Sequence, residues 1–176
     1  MFENCEVLNN QAIELASQGE YAEAIACFKR AIAIEKENYL LWFNLGITYR
    51  DAGKLEDAYN AIMKAYYINP EDEEILETLA SLCYSMSDFE EAYTYAAQGL
   101  SLNEENYHLW NTLGVLYFNQ SDYEKASEAF EQAVTINPYY YDALFNLRDA
   151  YEELGNTVGA AICAERMKAL PSSSHV

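Results

Sequence analysis

Basic residues are scarce in this sequence. Ten Lys and Arg stand against 29 Asp and Glu, a formal charge of −19 over 176 residues. Such an excess repels nucleic acid and anionic membrane surfaces, and its complement is a positively charged segment. Histidine is rarer still: His108 and His175 are the two present. No Ser-His-Asp or Cys-His constellation can be assembled from their spacing, and no Gly-rich phosphate loop exists. Carboxylate pairs such as Glu152 and Glu153 are neighbours on a helical pattern, so they diverge by ~100° and do not converge on a substrate. These absences predict a chain that is not an enzyme and carries no cofactor. The four cysteines, Cys5, Cys27, Cys83 and Cys163, are far apart and form no C-x-x-C pair. They read as buried apolar thiols rather than a disulfide framework or a zinc site, so no metal is expected. No run approaches the ~20 apolar residues of a membrane span. Met1-Phe2-Glu3-Asn4 lacks the basic start and apolar core of a signal peptide. Together these features predict a reducing, cytoplasmic setting. Strand signals are weak, with no Asn-Gly or Asp-Gly hairpin.

What is present is repetition. The apolar share is 51%, enough to build a core. Trp42 and Trp110 lie 68 residues apart, twice 34. Stepping by 34 from Leu8 gives Leu8, Trp42, Leu76, Trp110 and Leu144, all large and apolar. A second column is Ala24, Ala58, Ala92, Ala126 and Ala160. Leu45, Leu79, Leu113 and Leu147 form a third, with Gln11 out of pattern. Small residues follow at Ala12, Gly46, Ala80 and Gly114, and Arg148 breaks that column. Leu15, Tyr49, Cys83, Tyr117 and Tyr151 make another. Within a unit the apolar positions recur at i, i+3, i+4 and i+7, the spacing of an amphipathic helix. Each unit then holds two helices, A and B. Gly53 and Gly155 mark turns between them, while Asn69-Pro70 and Asn137-Pro138 stop helix B.

These residues resemble the tetratricopeptide pattern of W, L-G, Y, A, F, A and P at fixed offsets. Its fullest copy is Trp110, Leu113-Gly114, Tyr117, Ala126, Phe130, Ala133 and Pro138. The resemblance covers 5–38, 39–72, 73–106, 107–140 and 141–174 without insertion. It implies an all-α chain, 1–176, forming a single solenoid, a right-handed α-α superhelix of helix-turn-helix units. One unit cannot bury its own apolar face, so neighbours stack.

In that family the A helices line a concave groove. The resemblance therefore implies a scaffold or adaptor that binds an extended peptide of a partner protein. The sixth position of each unit reads Asn10, Asn44, Thr78, Thr112 and Asn146. A carboxamide offers both donor and acceptor, which suits a peptide backbone; the competing reading is a solvated polar column. Phe43, Ile47, Tyr84, Val115, Phe118 and Phe145 fall on the same face as candidate anchors, unless they tuck against the next helix. His108 and Asn111 share it. Glu74 and Glu77 add negative charge there, so a neutral or basic segment is the favoured ligand. An acidic-tail clamp is not expected, because Glu74 and Thr78 stand where a Lys and an Arg would be needed. Competing readings are a self-associating scaffold, a homo-oligomer through the C-terminal repeat around Ile162, Met167 and Leu170, a small acidic secretion-type chaperone, and the repeat segment of a larger enzyme.

Overall fold

A computed structural model describes residues 4–170, so His175 and Pro171 lie outside the described residues. Among the described residues there are ten α-helices and no strand. The chain divides into two compact units, one up to Asp88 and one from Phe89 onward. The first holds α1 (Cys5–Ser17), α2 (Tyr21–Ile34), α3 (Tyr39–Asp51), α4 (Leu55–Ile68) and α5 (Glu73–Ser85). The second holds α6 (Phe89–Leu102), α7 (Tyr107–Asn119), α8 (Tyr123–Ile136), α9 (Tyr141–Glu153) and α10 (Thr157–Ala169). Odd-numbered helices begin at residues 5, 39, 73, 107 and 141, each 34 after the last. Within each unit every helix packs on its neighbour in sequence, and α1 also meets α3, as α7 meets α9.

Local chemistry sets these boundaries. The residue before each odd-numbered helix belongs to a column of Asn4, Asn38, Asp72, Asn106 and Tyr140. Asn4 accepts from the Glu6 amide at 2.9 Å, Asp72 from Glu74 and Ile75, and Asn106 from Leu109 at 2.9 Å. Each satisfies an amide that the first helical turn leaves without a partner. Asn38 turns back to Glu35 instead, and the Tyr140 side chain makes no cap. Between helices A and B the chain passes through a left-handed residue: Gly19, Gly53, Ser87, Ser121 and Gly155, with φ between 61° and 79°. Glycine takes that conformation freely, whereas serine is strained there.

Tight packing follows from the small-residue column. A Cβ on Gly46 would overlap the Ile62 side chain, and one on Gly114 would overlap the Phe130 ring. In the second unit Ala126, Phe130, Ala133, Leu144, Leu147 and Cys163 are all buried in one cluster. The two tryptophans do the same job twice. Trp42 Nε1 donates to the Lys36 carbonyl and Trp110 Nε1 to the Glu104 carbonyl, both at 2.8 Å, pinning the turn that precedes each helix. All four cysteines are buried and free, as apolar thiols. Among the described residues no helix is long and apolar enough to cross a membrane.

Candidate functional site

The A-helix face is a repeating surface, and each unit carries its own part. In the first unit α1 and α3 are joined by amides. Asn44 Nδ2 donates to Asn9 Oδ1 at 3.3 Å, and Asn9 Nδ2 reaches Asn10 Oδ1 at 3.4 Å. In the second unit Asn146 Nδ2 donates to Asn111 Oδ1 at 3.0 Å, joining α9 to α7. Both bonds span 35 residues, so the same device is used twice: the sixth residue of one repeat binds the fifth of the repeat before. Each donating Asn spends one of its two N–H donors in this way. The other donor and a carbonyl oxygen with two lone pairs remain for further bonds.

The threonines of the same row behave differently. Thr78 is buried, and Thr112 turns its hydroxyl to the His108 carbonyl at 3.0 Å, an intrahelical bond. The amide row is therefore present at Asn10, Asn44 and Asn146 and interrupted at Thr78 and Thr112.

The expected anchors also separate. Phe43 is only 7% exposed, which corrects its reading as a residue presented to a ligand; its ring is used in packing. Ile47 is half-buried, while Ile13 on α1 and Leu40 in the first turn of α3 are exposed. Tyr84 and Glu77 are half-buried on α5, and Glu74 is exposed there. In the second unit Phe145 is 39% exposed, with the Arg148 guanidinium 4.3 Å above its ring. Phe118 is half-buried and meets the Tyr123 ring edge-on, with centroids 5.1 Å apart. Val115 and Phe118 line a small cavity of about 70 Å³ with Phe130, Asn146 and Asp149. His108 stacks on Tyr107, centroids 4.2 Å apart, and its Nδ1 lies 3.4 Å from the Tyr140 hydroxyl. Spacing did not point to Tyr140; its signal is that it replaces the Asn or Asp of the capping column.

Charge on this face is partly neutralised. Arg148 bonds Asp149 at 2.6 Å and reaches Glu152 at 3.7 Å. The Asp149 carboxylate is the first cause, with the Glu152 charge behind it, that holds the guanidinium above its ordinary range. Glu153 and Asp142 are exposed on the same helix. Among the described residues no group of three His, Cys, Asp or Glu gathers as a metal site.

Models of the tetratricopeptide repeat match residues 12–49, 39–72 and 108–140. No curated protein matches the chain. A crystal structure of MamA protein is 22% identical with a TM-score of 0.82, covering 93% of this chain and 89% of that one. PilF of Pseudomonas aeruginosa is 15% identical with a TM-score of 0.85, over 96% of this chain and 77% of that one. YrrB, whose structure is described as a TPR protein with an unusual peptide-binding site, is 19% identical with a TM-score of 0.73, over 91% and 82%. At these identities the likeness is one of fold, an all-α helical repeat.

Proposed function

The chain belongs to the tetratricopeptide repeat family, a protein–protein interaction scaffold, and from that premise we propose that the A-helix face of each unit binds an extended, neutral or basic segment of a partner. The observation that carries this reading is the pair of amide bridges, Asn44 to Asn9 and Asn146 to Asn111. Each bridge holds a carboxamide in one orientation before any ligand arrives, which lowers the ordering cost of binding. The donor and acceptor left on each amide match the C=O and N–H of an extended backbone without demanding a sequence. Exposed Ile13, Leu40 and Phe145 supply apolar contact beside them. The exposed carboxylates of Glu74, Asp142 and Glu153 favour positive charge on the ligand.

Calorimetry with matched extended peptides tests this. A basic or neutral peptide should bind more tightly than an acidic one. The double variant Asn44→Ala, Ile47→Ala should weaken it about tenfold, roughly 1.4 kcal/mol. Unchanged affinity in that variant would remove the A-helix face as the site. A second reading, association between copies, is favoured by the outer side of α10, where Val158 is 70% and Ile162 55% exposed beside Ala161. Light scattering over a concentration series separates the two, since a strict monomer excludes that association.

A further inference from the structure

The first unit carries a cleft that shares no residue with its A-helix face. It lies among α2, α3 and α4 and encloses about 730 Å³. Its floor is apolar and aromatic, built from Ile32, Trp42, Leu45, Tyr49, Ala61 and Ile68. Around it stand Lys29, Lys36 and Lys64, three of the ten basic residues in the whole chain. Their local opposition is Glu37 and Asp57. Lys29 is engaged, with Nζ 5.7 Å from the centroid of the Tyr49 ring. Lys36 and Lys64 are exposed and make no ion pair among the described residues.

The second unit contains the same cleft 68 residues later, and its charge is reversed. Trp110, Leu113, Tyr117 and Ala129 repeat Trp42, Leu45, Tyr49 and Ala61. Glu104 stands where Lys36 stood, Glu128 replaces Asn60, and Gln132 replaces Lys64; Lys125 in place of Asp57 is the one change in the other direction. Ala97 takes the place of Lys29. Lys125 is itself held by Asp122 at 2.7 Å. The packing residues of the cleft are thus kept while the rim is not. Each cleft keeps one lysine over its tyrosine ring, Lys29 over Tyr49 and Lys125 over Tyr117; Lys36 and Lys64 are not a requirement of packing, and they place positive charge on a chain of net charge −19.

We propose that the α2–α3–α4 cleft is a second docking site, which takes an acidic peptide segment of a partner protein bearing an apolar anchor. The anchor would rest on the Trp42 and Ile68 floor, with carboxylates facing Lys36 and Lys64. Charge decides the class of occupant: an uncharged or basic segment would gain nothing from the lysines, and long-range repulsion from the rest of the chain would oppose an acidic one everywhere else. The scaffold then holds two segments of opposite character on separate faces.

The test uses the full chain with Trp110→Phe, so that Trp42 alone reports by fluorescence. Three peptides are titrated: Glu/Asp-rich with a central Leu or Phe, the same peptide with that residue as Ser, and a Lys-rich counterpart. The anchored acidic peptide should shift Trp42 emission and saturate, and both controls should bind at least tenfold more weakly. Lys36→Glu with Lys64→Gln installs the rim that the second unit already carries on the same packing residues, so the fold is expected to survive; circular dichroism checks it. That variant should weaken the acidic peptide at least tenfold and leave the basic peptide of the A-helix face unaffected. Absence of saturable binding by the acidic peptide overturns the proposal, as does binding indifferent to the rim variant. If the wild-type chain self-associates and the rim variant is monomeric, the occupant is a second copy and the partner assignment falls.

Discussion

Five A-to-B turns need a left-handed residue, and two of them use serine. Ser87 and Ser121 sit at φ 65° and 61° where the other three turns have glycine. A non-glycine residue pays about 1–2 kcal/mol there, and glycine gives back ~0.5–1 kcal/mol in unfolded-state entropy. Ser121→Gly should therefore raise stability by about 0.5–1 kcal/mol in urea unfolding. The reverse change, Gly53→Ala, should lower it, although a Cβ there would meet no atom within 4 Å. The opposite case is Gly114, where conformation is ordinary and space is lacking. The Phe130 ring is 1% exposed and cannot swing away. Gly114→Val is expected to cost about 1–3 kcal/mol, read as a lower unfolding midpoint at unchanged slope. Phe43 is buried although its register puts it on the A-helix face. Its place around the helix was legible from spacing, but spacing does not say how deeply a neighbour covers a side chain.

At the scale of helices, the pattern was legible because each unit solves the same packing problem. Tryptophan, leucine, glycine and alanine recur wherever the same contact recurs, and the helix starts recur with them. What stayed hidden was made by pairs of helices. The Asn44–Asn9 and Asn146–Asn111 bonds join the sixth residue of one repeat to the fifth of another, so neither column alone reveals them. The bond from the Tyr117 hydroxyl to the Tyr93 hydroxyl, 3.4 Å, likewise ties α7 to α6. That bond first, and burial second, push the Tyr117 phenol up to about 12. A folded value above the ordinary one near 10 means that stability is fully present below pH 10 and declines as the pH rises toward 12. Alkaline unfolding followed at fixed urea should show that decline. Tyr117→Phe should remove this contribution to it, while a profile unchanged by the variant would dissociate the bond from stability.

For the molecule as a whole, charge is the property that composition reveals and geometry distributes. The net −19 predicted a preference for basic ligands, and it says nothing about where the few lysines gather. Only the folded chain brings Lys29, Lys36 and Lys64 to one cleft and shows its counterpart in the second unit with the rim reversed. The two surfaces make separable demands, one on amides and carboxylates, the other on lysines around an aromatic floor. The central claim, that the A-helix faces hold an extended neutral or basic segment, is tested most directly by residue-resolved amide and side-chain NMR during titration with a basic peptide. Saturating shifts should cluster on Asn9, Asn44 and Ile47 in the first unit and on Asn111, Phe145 and Asn146 in the second. Shifts confined to α2, α4 or α8, or equal response at those residues to an acidic peptide, would contradict it.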